Sequence, residues 1–95
     1  MHPLSAGVLT TISHGLTDML VKCGLELDWI PDADVRACWQ AAIDLQREGR
    51  PVNVLSVLVK TSGRLADPAG VRSMFSLNGT GEVPPEMVVK KLRDH

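Results

Sequence analysis

The sequence predicts an all-α fold, a compact orthogonal bundle of about six short helices. Three observations predict it. Apolar residues recur three and four positions apart in segment after segment. Glycine, proline, asparagine and aspartate fall between those segments, where helices begin and end. Aromatic residues make up only 3% of the 95 residues, with no tyrosine. The core must therefore come from Leu, Val, Ile, Ala and Met, which pack well on helices, and strand-forming aromatics are scarce.

Leu4, Val8, Leu9 and Ile12 mark a first helix, with Pro3 suited to its first turn and Gly15 to its end. A second starts near Thr17, carries Leu16, Met19, Leu20 and Cys23 on one side, and stops at Gly24. Leu25 to Pro31 read as a connector, because proline keeps Ile30 out of the α region and Asp28 and Asp32 favour turns or N-caps. The strongest helix runs from Asp32 to Glu48, with Val35, Cys38, Trp39, Ala42, Ile43 and Leu45 on its apolar face and Gly49 as its C-terminal stop. Asn53 is placed to cap a fourth helix that presents Val54, Leu55, Leu58 and Val59 until Gly63. The valines there also suit a strand, but no matching partner strand is nearby. Asp67-Pro68 then forms a cap and first turn for a fifth helix with Val71, Met74, Phe75 and Leu77 on its apolar side. Asn78 to Gly81 is a loop by composition, and Pro84-Pro85 opens a final helix bearing Met87, Val88 and Leu92. The expected organisation is one helical domain over 1–95: a head at 1–78, a loop at 79–83 and a terminal helix at 84–95.

Length and charge narrow the function. Ninety-five residues suffice for one core. Ten Lys and Arg against eleven Asp and Glu leave a formal net charge of −1, without the basic excess typical of proteins that grip phosphates, so nucleic acid is not expected as the main partner. Cys23 and Cys38 form no paired motif, which fits a reducing, cytoplasmic setting. The longest mainly apolar run, Val54 to Val59, is far short of the roughly 20 residues that cross a bilayer, so no membrane role is expected.

Chemical motifs are missing where catalysis would need them. Neither a phosphate loop nor a dinucleotide turn is present, which argues against nucleotide hydrolysis. His2, His14 and His95 have no ligand partner at metal-binding spacing. Glu26, Asp28, Asp32 and Asp34 cluster as in a calcium loop, but the central glycine and the closing bidentate glutamate are lacking. Both cysteines fall on apolar helix faces, where burial makes them inert. The expectation is a protein without catalytic residues, cofactor or metal.

From Leu45 the chain reads Leu-Gln-Arg-Glu-Gly-Arg-Pro-Val-Asn-Val-Leu-Ser-Val, followed by Ser62-Gly63-Arg64-Leu65 and the small pair Ala69-Gly70 leading to Leu77. This pattern resembles the N-terminal domain of DnaB-family replicative helicases: a long helix ending in Leu and Gly, a Pro-Val/Ile-Asp cap, a short helix, a Gly-x-Leu step and a Gly-Gly helix start. Asn53 stands where the family has Asp, Ala69-Gly70 where it has Gly-Gly, and Ser73 where it often has an aromatic residue. Gly70 is expected to allow close helix packing. The likeness covers most of the chain, most specifically its centre.

The resemblance implies a helical head followed by a two-helix hairpin, assembled into a collar that docks primase. Ninety-five residues leave room for the head and the first hairpin helix, as expected of an excised fragment or of a stand-alone relative. The expected function is therefore protein binding in DNA replication, with the chain itself, helicase, primase or a loader as partner. A stand-alone modulator of a host helicase or primase, or a small helical DNA binder, are the competing expectations. Trp29, on the connector, and Met87, Val88 and Leu92, on the terminal helix, are the candidate interface residues, and an incomplete hairpin would leave the apolar face of that helix open. Lys90, Lys91 and Arg93 are candidate weak nucleic-acid contacts.

Overall fold

Short polar signals decide where the chain turns, and the helices between them pack by their apolar sides. The structure is a computed structural model that describes residues 3–76 and 84–94. Among the described residues there are six α-helices and no strand: α1 (Pro3–Ser13), α2 (Thr17–Lys22), α3 (Ala33–Arg47), α4 (Val54–Lys60), α5 (Pro68–Ser76) and α6 (Pro85–Arg93), with one 3-10 turn at Leu27–Trp29. The expected all-α bundle of about six short helices is thus what forms. The loop at 79–83, Leu77, His2 and His95 lie outside the described residues, as do the side chains of Leu4 and Met74.

Two stop-and-start signals show how local chemistry sets the boundaries. At the end of α3, Gly49 takes φ 72°, the left-handed conformation that glycine adopts without a Cβ penalty. The chain then closes a Schellman motif: Gly49 N–H donates to the Gln46 carbonyl at 3.1 Å and Arg50 N–H to the Leu45 carbonyl at 2.9 Å. Four residues later Asn53 starts α4 with a capping box. Its side-chain oxygen accepts from Ser56 N–H at 2.8 Å, and the Ser56 hydroxyl oxygen accepts from Asn53 N–H at 2.9 Å. Asparagine replaces the aspartate of the resembled pattern and caps as expected.

α1 and α3 are the central pair, α4 lies on α3, α5 on α1, and α6 crosses α1 and α2. Val8, Leu9 and Ile12 of α1 and Val35, Cys38, Trp39, Ala41, Ala42 and Leu45 of α3 are buried in the core. Val71 and Phe75 seal the α5 side, and Val88, Val89 and Leu92 the α6 side. Polar ties join the elements at their ends. The Arg36 guanidinium donates to the Ile30 carbonyl at 3.0 Å, fixing the connector to α3. Gln46 donates to Asp18, linking α3 to α2.

α6 approaches α1 where glycine leaves room. A Cβ added at Gly7 would stand 3.3 Å from Cγ2 and 3.4 Å from Cγ1 of Val88, tighter than ordinary contact. Gly7→Leu is therefore expected to push α6 off α1 and to cost about 1–3 kcal/mol by overpacking, read as a lowered urea midpoint, whereas Gly7→Leu paired with Val88→Ala should recover part of the loss. An unchanged midpoint in Gly7→Leu would show that the two helices are not in this contact.

Gly70 corrects an expectation. The sequence pattern suggests close helix packing there, but a Cβ would collide with the Asp67 carboxylate, the group that caps α5 by accepting from Gly70 N–H at 3.1 Å. The small residue serves the cap of its own helix.

Candidate functional site

The four expected interface residues separate into two kinds. Val88 and Leu92 are buried in the core, so the expected open face on the terminal helix is corrected: α1 and α2 cover it. α6 does not need a further helix to hide these side chains. Met87 points outward and is 46% exposed. Trp29, the last residue of the 3-10 turn, is half-buried and packs against the core. Lys90, Lys91 and Arg93 are all exposed along the outer side of α6, with Arg93 3.5 Å from Asp94.

α4 supplies what the sequence reading placed inside. Its seven residues, VLSVLVK, are apolar at five positions. Val57 is the one that is fully buried, with Val54 and Leu58 half-buried beside it. That orientation turns Leu55 and Val59 outward, 72% and 67% exposed, the most exposed large apolar side chains among the described residues. The stripe expected at Val54, Leu55, Leu58 and Val59 is thus rotated. The signal was in the sequence: a short helix apolar all around has more apolar surface than one face can bury.

Leu55 and Val59 form a wall of an open groove of about 500 Å³ that also takes in Leu45, Arg50, Pro51 and Lys60. Two cations and no carboxylate line it. Lys60 donates to Glu48 at 2.6 Å, but the Arg50 side chain makes no ion pair among the described residues. A smaller hollow of about 320 Å³ lies between α2 and α3 over Val21, Leu25, Trp39 and Ile43. The Trp39 Nε1 is fully buried and without a hydrogen-bond partner among the described residues.

The acidic stretch between α2 and α3 divides in its work. Asp34, in the first turn of α3, accepts from Ala66 N–H at 2.9 Å and Asp67 N–H at 2.8 Å, clamping the loop that precedes α5. Glu26 and Asp28 are exposed on either side of Leu27, itself 37% exposed, at the 3-10 turn. No group of three or more His, Cys, Asp or Glu residues among the described residues is arranged to hold a metal ion. No helix among them is long and apolar enough to cross a membrane.

Cys38 is fully buried and Cys23 half-buried. Burial first, and the nearby Asp34 carboxylate second, push the Cys38 thiol up from 9.0 to about 12. The folded state therefore holds this proton more tightly than the unfolded one. Stability should be unaffected below pH 9 and fall between pH 9 and about 12, by as much as about 1.4 kcal/mol per pH unit from this group. Cys38→Ala should flatten that alkaline limb relative to the parent protein in urea melts at pH 8 and pH 10.5. Equal slopes for the two proteins would refute the assignment.

No family model, no curated protein and no solved structure matches the chain, so its own residues and geometry carry the functional reading.

Proposed function

We propose that this protein is a protein-binding module of DNA replication, similar in role to the N-terminal domain of DnaB-family helicases, and that it acts without catalysis. The observation that supports the reading is the outward apolar face of α4, Leu55 and Val59 over a groove rimmed by Arg50 and Lys60. Contiguous apolar surface with a polar rim is the usual character of a docking site. The central pattern that carries the resemblance, Leu45 to Val57, builds this same surface: the helix stop at Gly49, the capping box at Asn53 and the start of α4. The groove does not depend on the terminal helix.

The partners proposed are a replicative helicase, its primase or its loader. Size-exclusion chromatography with light scattering of the protein mixed with each purified bacterial component is the test. Co-elution with one of them, weakened by Leu55→Glu, supports the reading, and separate elution from all three overturns it.

A second reading rests on α6, where Lys90, Lys91 and Arg93 share the exposed side. If these cations meet three phosphates of a duplex, log affinity should fall against log salt with a slope of about −3. A flat titration rules out that reading.

A further inference from the structure

We propose that the protein associates head to tail with a second copy of itself, the acidic turn Glu26-Leu27-Asp28 of one copy seating in the basic-rimmed α4 groove of the next. The inference rests on the reading of the chain as a protein-binding module and names one surface pair within it.

Two features of the same chain are complementary in shape of charge and in apolarity. The groove carries Leu55 and Val59 as apolar wall, with Arg50 as its cation free of any ion pair among the described residues and Lys60 already paired with Glu48 at 2.6 Å. The 3-10 turn carries one exposed apolar residue, Leu27, between two exposed carboxylates that make no ion pair among the described residues. An apolar side chain entering the groove would bring carboxylates near Arg50, whose guanidinium has no ion pair among the described residues, and carboxylate with guanidinium is a strong charge-assisted pair.

The two features cannot meet within one molecule. The turn is held at the N-terminal end of α3, where Arg36 grips the Ile30 carbonyl. The groove is built at the other end, where α3 stops at Arg47, and Lys60 of α4 pairs with Glu48 just beyond. The 15 residues of α3 separate them by about 22 Å. A molecule with complementary surfaces at opposite ends of one rigid helix satisfies them only through a neighbour, in a heterologous contact.

A two-fold pairing of α4 with α4 is the weaker alternative, because it brings the Arg50 side chains of the two copies together with no carboxylate to meet them, Lys60 and Glu48 being already paired. The exposed side of α6 offers the groove no better occupant, since Lys90, Lys91 and Arg93 repeat the sign already there. One three-residue turn in one groove is a small contact, so association belongs to the weak, transient class.

Sedimentation equilibrium of the intact chain over a wide concentration range tests this. The expected result is a weight-average mass that rises with concentration and falls back at high salt. Leu55→Glu in the groove and Leu27→Lys on the turn should each reduce self-association at least tenfold. Both positions are exposed, and an unchanged circular dichroism melt checks that the fold is kept. Mixing the two variants is decisive: each retains one intact surface, so together they should form a one-to-one pair that does not extend. A monomer at every concentration overturns the proposal. So does Leu27→Lys associating like the parent, which would indicate α4 pairing with α4, or a mixture that stays monomeric. Binding to a replication protein with no self-association would leave the functional reading standing and remove this inference alone.

Discussion

Replacing Trp39 with alanine is expected to remove about 3–5 kcal/mol of stability, a large fraction of what a domain of this size possesses. The indole is 1% exposed on the inner face of α3, the helix that meets α1, α4 and the connector turn. Truncation leaves a core cavity that the surrounding helices, held by their own backbone hydrogen bonds, can close only in part. In a 95-residue chain the loss corresponds to a fall in melting temperature of roughly 15 °C or more. Trp39→Phe separates volume from polarity. The indole Nε1 has no hydrogen-bond partner among the described residues, and a phenyl ring keeps most of the packing while removing that unpaired donor. Trp39→Phe should therefore cost less than half as much as Trp39→Ala in urea denaturation. Equal losses would mean that the Nε1 proton is bonded in solution, and a loss below about 1 kcal/mol in Trp39→Ala would remove Trp39 from the core.

Local rules made the helices legible. Gly49 after Arg47 and Glu48, Asn53 three residues before Ser56, and proline at 68 and 85 each act over one helical turn, and each boundary lies where those residues place it. The long apolar stripe of α3 could also be read, because 15 residues give four turns of periodicity. The seven residues of α4 give two turns. With five of them apolar, periodicity alone does not choose which side is inward, and tertiary contact with α3 turned Val57 in and Leu55 and Val59 out. The reading of α6 failed for a different reason. Val88 and Leu92 were expected to lie open because a following hairpin helix would normally cover them, yet nothing in a sequence reports that Gly7 lets α1 take that place. The same limit hid the role of Asp34. Its two acceptors meet amides 32 and 33 residues away, and no local pattern encodes a pairing at that distance. Of the candidate residues on α6, Met87 is therefore exposed and Val88 and Leu92 are not, since exposure is settled by long-range packing and helix position by short-range chemistry.

Asp34→Ala is expected to cost about 2–3 kcal/mol, large for a side chain that is only half-buried. The carboxylate accepts from two consecutive backbone amides, at 2.9 and 2.8 Å, and stands in the first turn of α3, where the helix dipole favours negative charge. Those bonds set the start of α5. Asp67, whose amide is held by Asp34, turns its own carboxylate to cap Gly70 N–H at 3.1 Å, and Val71 and Phe75 then reach the core beside α1. Without Asp34 the loop loses two charge-assisted bonds, and α5 loses the fixed start that orients its cap. Asp34→Asn should recover less than half of the loss, because asparagine keeps one acceptor and turns an N–H donor toward the second amide. Amide hydrogen exchange gives the discriminating readout: faster exchange at residues 66–71 in both variants, with α4 and α6 unaffected. The variants also carry a second signature. Asp34 is the lesser of the two causes that raise Cys38, so removing its charge should lower the alkaline titration of that thiol while burial still holds it above 9.0. Unchanged exchange at 66–71 would show that the clamp does not form, and an unchanged Cys38 titration would show that its thiol does not sense the carboxylate.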